Sequence, residues 1–508
     1  MSGFAAISVN PRIYPAESRV RMYLVGQHWV EVPQIVWDLF WTTFYGQHRG
    51  PAFGGIASYT EDEDHPIMIR THQGPFREGF ERDTLGFEGT LAVGCTSDST
   101  RQPLLIEESP FGPFAISFDG NVVNRSAILE EFRKSRRALE RADDIAILAR
   151  LIASGDDLID GFRQAAEKVQ GAFVVTLLSQ QGIYIAQSPS GHKPAVIGRK
   201  DGAVAVVSES CQLSNTGFKL VGDLEPGQVV CLQNGELKSL VRLGSHRIAH
   251  CSFEHIYTQF ATSRANGVSA SLVRKRLGAK HAKRDIQAGF VPDIVIPVPD
   301  SGRFHAIGYL QAWIAAINAG KIRRIPLYDE LLAKYPYARR SFTPATQEER
   351  NREAKFKLLP SSESLLDIIG LIEGLIQQKL VETDGKVIVI HIVVCDDSIV
   401  RGTQTANDLV PKLKSLIQWI NSEVKVEIKI HFRISNPELL SVCRFGKSTK
   451  AGDNLAAVDQ DGRRRSPEQI AENLGAASVA YNTIADLVEA TGIPLNELCV
   501  ACDKLPKR

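Results

Sequence analysis

Asp396 and Asp397 are adjacent carboxylates, followed by Ser398, Ile399, Val400, Arg401, Gly402 and Thr403. These residue types can do two things in one loop. Paired carboxylates accept hydrogen bonds from the hydroxyls of a polyol. A turn carrying Ser398, Arg401, Gly402 and Thr403 at the mouth of a helix aims N–H groups and a cation at an anion. A ligand that has both a sugar diol and a phosphate, such as a 5-phosphoribose, meets both. The flanking elements suit that task. Val387 to Val394 is short, β-branched and bounded by polar residues, which predicts a buried strand. Ala406 to Leu416 predicts a helix, with Pro411 placed to kink it. Strand, turn, helix is where an α/β sheet holds its ligand. The Walker pattern is absent.

A second loop, Ile296-Pro297-Val298-Pro299-Asp300-Ser301-Gly302, has the Gly and Pro that let backbone N–H groups turn towards an anion. By itself it reads equally well as a strand-ending turn. The basic stretch from Lys334 to Lys357 lacks periodicity and predicts an irregular loop of the kind that forms lids. Cys499 and Cys502 form a C-x-x-C, compatible with redox, zinc or iron–sulfur chemistry. Cys251 and Cys443 are distant, and spacing alone does not join them to it. Cys95, Cys211, Cys231 and Cys395 lie in apolar contexts and are expected in the core.

The chain's 508 residues suffice for two or more domains, and 44% are hydrophobic. Its 59 basic and 58 acidic residues leave a net charge of +1, so nothing global recruits nucleic acid or a membrane. No apolar run is long enough to span a bilayer, and Met1-Ser2-Gly3-Phe4 does not begin a signal peptide. Eight cysteines in this length suggest no disulfide scaffold, which fits a reducing cytoplasm. Residues 1–245 alternate short β-like runs (91–93, 113–118, 173–178, 204–207) with helical patterns at 127–134 and 144–153, an α+β reading. Pro226-Gly227 and Asn234-Gly235 mark turns. Residues 246–508 alternate strands (294–296, 426–432) with helices (304–318, 365–380, and most of 466–489), an α/β reading. The boundary is expected within 243–251.

Asp-Asp-Ser-Ile-Val-Arg-Gly-Thr at 396–403 resembles the phosphoribosyl pyrophosphate (PRPP) loop of type I phosphoribosyltransferases. It is most similar to that of the glutamine PRPP amidotransferase family. The resemblance implies a C-terminal type I phosphoribosyltransferase domain with a parallel sheet. It gives Asp396 and Asp397 the ribose diol and the Mg²⁺ shell. Ser398, Arg401, Gly402 and Thr403 become the phosphate grip, and Asp300, Ser301 and Gly302 the pyrophosphate loop, with Ser301 on the metal side. Arg340, in the stretch running through Gln347, resembles the loop that closes over substrate; Arg339, Arg350, Lys355 and Lys357 are further candidates for pyrophosphate. After Arg433-Ile434-Ser435 the chain departs from the family, with Gly446-Lys447-Ser448-Thr449 where an acidic and apolar stretch is usual. That puts ordinary ammonia in doubt as acceptor.

Cys251, Cys443, Cys499 and Cys502 fall on the four positions that hold a [4Fe–4S] cluster in the Bacillus-type branch. Zinc is the other occupant this set suits. The N-terminal half resembles an N-terminal-nucleophile (Ntn) glutaminase, an αββα sandwich, through Gln47-His48-Arg49-Gly50, Gly120-Asn121 and Ser208-Glu209-Ser210-Cys211. Its chemistry is depleted. Ser2 stands where the nucleophilic Cys belongs. Ser97 stands where an Arg binds the glutamine carboxylate, and Asp119 where an Asn donates to the oxyanion. Asp144 and Gly120 keep the amine-binding and second oxyanion positions. The segment between Ile7 and Gln47 is longer than in the family, and its runs 23–25, 29–32 and 35–44 are expected to plug or remodel the glutamine pocket.

Three functions follow. The favoured one is a phosphoribosyltransferase that uses PRPP and ammonia or a small amine, without glutamine hydrolysis in cis, with a separate enzyme supplying the amine. The alternatives are an active amidotransferase of purine biosynthesis with Ser2 as nucleophile, and a non-catalytic PRPP or nucleotide sensor. The resemblance also implies a homo-oligomer, usually a tetramer.

Overall fold

The structure is a computed structural model of the whole chain. It describes all residues except 16–17, 25–27, 61–64, 84–85, 136–138, 140, 245–246, 336–357, 361–369, 372, 375–376, 378, 380–386, 403–404, 416–424, 446–448, 450–453 and 506–508.

Two antiparallel sheets form the N-terminal half. The first runs Lys219–Asp223, Val196–Lys200, Ala203–Val207, Ser2–Val9, Leu91–Ser97, Phe53–Tyr59, Ile67–Gln73. The second runs Glu236–Arg242, Gln228–Gln233, Gly182–Gln187, Gly171–Ser179, Phe114–Val122, Leu104–Ile106. Strand periodicity explains the layering. In Ser2–Val9, Phe4 and Ala6 point into the core between the sheets, beside Val174, Leu178 and Val206. Ala5, Ile7 and Val9 point the other way, to the helix Gln34–Phe44 and to Phe76 and Phe80 of Phe76–Asp83. The helices Arg125–Lys134, Asp144–Ile152 and Leu158–Lys168 cover the second sheet. Asp143 and Asp157 cap two of these, accepting from Ala146 N at 3.1 Å and Asp160 N at 2.8 Å. Asn234 and Gly235, at φ 50° and 75°, make the two-residue hairpin turn expected at that Asn-Gly. The result is an αββα sandwich.

The expected plug is elsewhere. Residues Arg19–Leu24 and His28–Pro33 pair as a hairpin, and its Met22 and Val32 are buried with Ile35, Val36 and Leu39 of the neighbouring helix. The insertion thickens the outer helical layer, because its alternating apolar residues match that helix face.

The C-terminal half holds a five-stranded parallel sheet, ordered Leu327–Tyr328, Ile294–Pro297, Val387–Asp396, Lys425–Ile434, Ser478–Tyr481. The apolar run of the central strand is continuous because both faces are covered. Ile392 and Val394 pack towards Leu409, Leu413, Ile470 and Leu474. Val393 and Cys395 pack towards Tyr309 and Trp313 of Arg303–Asn318 and Ala282 of Ala270–Gln287. Residues 466–489 are two helices, Pro467–Leu474 and Ile484–Thr491, around the edge strand Ser478–Tyr481. Gly475, at φ 68°, ends the first helix, a break that the expectation of a largely helical stretch did not place. The expected helix over 406–416 begins as a π-helical turn, Thr405–Leu409, and becomes α-helical at Val410–Ser415, with Pro411 near the change. Most of the helix expected over 365–380 lies outside the described residues. No described helix is long and apolar enough to cross a membrane.

Candidate active site

The sheet order reverses at Ile294–Pro297, whose neighbours on either side are Leu327–Tyr328 and Val387–Asp396. A crevice at such a switch point, beyond the carboxyl ends of the strands, is the ligand position of an open α/β sheet. Both predicted loops leave from it. They are joined where Val298 N donates to Cys395 O at 2.9 Å and Ser301 Oγ donates to Asp396 Oδ1 at 2.9 Å. Gly302 permits this approach, since a Cβ there would lie 2.0 Å from Cys395 O. The Pro299–Asp300 peptide bond is cis.

Asp396 Oδ1 also accepts from Asp397 N at 2.8 Å, and Asp397 Oδ2 accepts from Ser398 Oγ at 2.7 Å. Burial, and then the neighbouring Asp397 carboxylate, push the Asp396 carboxyl well above its usual range. Two carboxylates held this close favour a bound cation or hydroxyl donors. Gly402, at φ 74°, turns the loop so that its carbonyl accepts from Ala406 N at 2.9 Å, opening the following helical turn. Asp300 lies between Lys334 at 3.2 Å and Arg303 at 3.5 Å. Arg340, Thr403 and the predicted lid cations lie outside the described residues, as do Gly446, Lys447 and Ser448. Thr449 is buried and accepts from Cys443 N at 2.7 Å.

Sequence reasoning missed the helix Ala270–Gln287 and its buried cation. Arg274 donates to the carbonyls of His255, Tyr257 and Gln259, at 3.2, 3.3 and 2.8 Å. It thereby pins the π-helical turn Glu254–Thr258 beside the Asp397 loop, whose charge it feels. Arg274 falls within a basic run that reads as a solvated face, so no local signal marks it.

Glu254 leads to a second buried centre. Arg49 is fully buried; its Nη2 lies 3.0 Å from Glu254 and 3.3 Å from Asp119, and its Nη1 3.1 Å from Glu209. Its Nε donates to Ser2 O at 3.1 Å. The short turn Gln47–Arg49 delivers this side chain, and Gly50 lets the chain pass Ser97, whose Cα a Cβ would meet at 2.6 Å. Burial alone would raise Glu209; His48, at 2.6 Å, and Arg49 outweigh it and bring the carboxyl down to about 2. Asp119 is held low in the same way, its burial outweighed by Lys193 at 2.9 Å and Arg49.

Ser2 lies within its strand. Its N–H donates to Asp119 Oδ1 at 3.2 Å, and its hydroxyl lies 3.3 Å from Ser97 Oγ and accepts from Gln102 Nε2 at 3.2 Å. Ser97 Oγ is itself occupied by the amides of Ser99 and Thr100. The Met1 ammonium is buried and lies 3.5 Å from Asp98; burial lowers its pKa. Asp144 accepts from Val122 N at 3.0 Å.

The structure brings Cys251, Cys443, Cys499 and Cys502 to one cavity, lined also by His192 and Phe445. Cys251 and Cys499 are register partners in the parallel ladder His250–Cys251 and Leu498–Cys499. The amides of Leu440 and Ser441 both donate to Cys502 O, at 2.8 and 3.0 Å. Three segments far apart in sequence therefore meet at the thiols. Among the described residues, His48, Glu209 and Cys211 are the one group of three ligand-type atoms within 4.8 Å of one another. Arg49 already occupies that Glu209 carboxylate, so a cation is not favoured there. Cys95, Cys211, Cys231 and Cys395 are buried, as expected.

An Ntn-type amidotransferase half joined to a parallel-sheet phosphoribosyltransferase half is the class this fold and crevice define. Residues 89–215 match the family described as a glutamine amidotransferase domain. An amidophosphoribosyltransferase of Synechococcus elongatus is 31% identical over 473 residues, covering 90% of this chain and 85% of that protein. One of Bacillus subtilis is 26% identical, covering 93% and 90%. The solved glutamine PRPP amidotransferase from B. subtilis, complexed with ADP and GMP, superposes with a TM-score of 0.73 at 23% identity, covering 99% of this chain and 97% of that one. The chain belongs to the amidophosphoribosyltransferase family and is an enzyme of the phosphoribosyltransferase class.

Proposed function

We propose that this enzyme displaces pyrophosphate from PRPP with ammonia or another small amine that is not released from glutamine in cis. The observation that carries this is the buried Asp119 carboxylate. It lies at the expected oxyanion-donor position, ion-paired to Lys193 and Arg49 and accepting from Ser2 N. A carboxylate there offers no hydrogen bond to a developing oxyanion. It would also hold an N-terminal Ser2 amine, were Met1 removed, as ammonium, which cannot act as a base.

In the crevice, Asp396 and Asp397 accept from the ribose diol, with Ser301 orienting Asp396. The loop from Ser398 through Arg401 and Gly402 to Thr403 holds the 5-phosphate. Asp300, Ser301 and Gly302 line the pyrophosphate side, and Arg340 belongs to the closing loop. The C1–O bond breaks and its electron pair leaves with pyrophosphate. The amine lone pair forms the C1–N bond, and the amine then loses a proton to solvent. Oxygen donors at Asp396, Asp397 and Ser301 suit Mg²⁺, which when bound neutralises the leaving group. Excluding water protects the electron-poor C1.

The four cysteines suit a [4Fe–4S] cluster of the Bacillus-type branch. Zinc is the other occupant this thiol set suits. The reading carries a cytoplasmic homo-oligomer, as a tetramer, in purine biosynthesis, supplied with amine by a separate enzyme.

Pyrophosphate release from PRPP with NH4⁺, with a panel of amines and with glutamine tests this. Turnover with an amine, unchanged by glutamine, is expected. The match of residues 89–215 to a glutamine amidotransferase domain favours a second reading, hydrolysis by Ser2. Glutamate release that disappears in Ser2→Ala would establish it.

A further inference from the structure

Arg303 is the first residue of the helix that follows the Asp300-Ser301-Gly302 loop. Its guanidinium meets Glu330 with two parallel bonds, Nε to Oε1 and Nη2 to Oε2, each 2.8 Å. Its Nη1 lies 3.5 Å from one Asp300 oxygen, and Lys334 lies 3.2 Å from the other. The edge strand places Glu330 there. Leu327–Tyr328 pairs with Ile294 and Val295, and Asp329 N donates to Val295 O at 3.2 Å, so the chain emerges with Glu330 at the carboxyl end of the sheet. Two residues before Arg303, Ser301 bonds Asp396 across the crevice at 2.9 Å. The Arg303–Glu330 pair therefore stands at the mouth of the crevice, on the side of the leaving group.

These four charged side chains are 38–59% exposed, and ion pairs in that much water hold weakly. A guanidinium fork fits a phosphate with the same two bonds that it gives a carboxylate. A polyanion such as pyrophosphate outcompetes a single carboxylate for that fork. Glu330 loses little by yielding it, since the Tyr328 hydroxyl still donates to its Oε1 at 3.2 Å and water reaches it. Without a cation at this place the leaving group would face Asp300 and Glu330, both negative. We infer that Arg303 is a further pyrophosphate-binding residue and that Glu330 holds it in reserve, yielding it when PRPP enters. The inference rests on the crevice reading above. It makes Glu330 a competitor of the substrate for one guanidinium, so the two partners of one ion pair act on affinity in opposite directions.

Isothermal titration of the full-length protein in the presence of Mg²⁺ tests this, with inorganic pyrophosphate, PRPP and ribose 5-phosphate added in turn. Arg303→Gln should weaken pyrophosphate and PRPP about tenfold and leave ribose 5-phosphate unchanged. Glu330→Gln should tighten the first two about two- to fivefold, again with no effect on the third. Arg303→Lys keeps the charge without the fork and should recover part of the loss. A pair that only braces the loop would weaken binding in both glutamine variants. That outcome, or pyrophosphate affinity unchanged in Arg303→Gln, overturns the inference and leaves the crevice reading standing. Unaltered protein that binds none of the three ligands overturns both.

Discussion

Lys193 Nζ lies 2.9 Å from Asp119 Oδ1, and both side chains are buried. His192 and Lys193 are consecutive yet face different centres, His192 the cysteine cavity and Lys193 the Asp119 carboxylate that accepts from Ser2 N. The Lys193–Asp119 pair is a fixed charge pair, supported by Arg49 and through it by Glu254 of the second half. This buried network is continuous from Lys193 through Asp119 and Arg49 to Glu254. It ties the N-terminal sandwich to the turn that Arg274 pins beside Asp397.

Removing one member of this pair should be worse than removing both. Lys193→Met leaves the buried Asp119 carboxylate to Arg49 alone, which Glu209 and Glu254 share, and should cost about 3 kcal/mol. Asp119→Asn with Lys193→Met leaves no stranded charge on either side and should recover most of that. Urea denaturation of the three proteins checks the order. Neither variant should release glutamate from glutamine.

Ser301 Oγ orients Asp396 across the crevice. A hydrogen bond to a charged acceptor is worth about 1.5–3 kcal/mol. Ser301→Ala should therefore lower kcat/KM for PRPP roughly 10–100-fold at fixed Mg²⁺. Asp396→Asn should abolish pyrophosphate release. Initial rates with NH4⁺ as acceptor measure both, and unchanged rates would contradict the assigned crevice.

Gly302 is required by space, its φ being an ordinary −78°. Gly302→Ala sets a methyl 2.0 Å from Cys395 O and 2.7 Å from Val298 N. Both obstacles are backbone, so the loops must separate, at about 1–3 kcal/mol. PRPP affinity should weaken more than global stability, which isothermal titration and thermal unfolding can separate.

The crevice was legible because both of its loops are contiguous in sequence. Strand, acidic pair, hydroxyls and Gly402 all lie within Val387–Gly402. The cysteines were joined by resemblance alone, and the fold explains why spacing could not do it: a two-residue ladder pairs Cys251 with Cys499 across almost 250 positions. The Asp119–Arg49–Glu254 network was invisible as a network: resemblance marked Arg49 and Asp119 singly, and nothing in the sequence joins them to one another or to Glu254 across the two halves. The insertion before Gln34 was expected in the pocket. Its Met22 and Val32 instead follow the alternation of a hairpin, which selects a helix face to cover.

Acid should unfold this protein in two stages. His281 is fully buried, donates to Ile434 O at 2.8 Å, and has its pKa lowered from 6.5 to about 3, chiefly because burial disfavours the cation. Glu209 is lowered from 4.5 to about 2, His48 and Arg49 outweighing its burial. Both folded values lie below the unfolded ones, so the unfolded chain binds protons first as pH falls. Each group's contribution is complete above its unfolded value and lost as pH drops towards its folded value. Stability should begin to fall below pH 6.5 through His281 together with His250, His305, His391 and His431, whose burial also holds them low, each adding up to about 1.4 kcal/mol per pH unit, and more steeply below 4.5 once Glu209 joins. Denaturation midpoints across pH 7.5 to 3 read the two slopes. Glu209→Gln should start less stable at neutral pH and lose the second, steeper stage, while keeping the first. His281→Asn should make the first slope shallower by one proton's worth and keep the second. A Glu209→Gln protein whose steep stage persists in full would place that acid sensitivity on carboxyls other than Glu209, Asp119 of the same network among them.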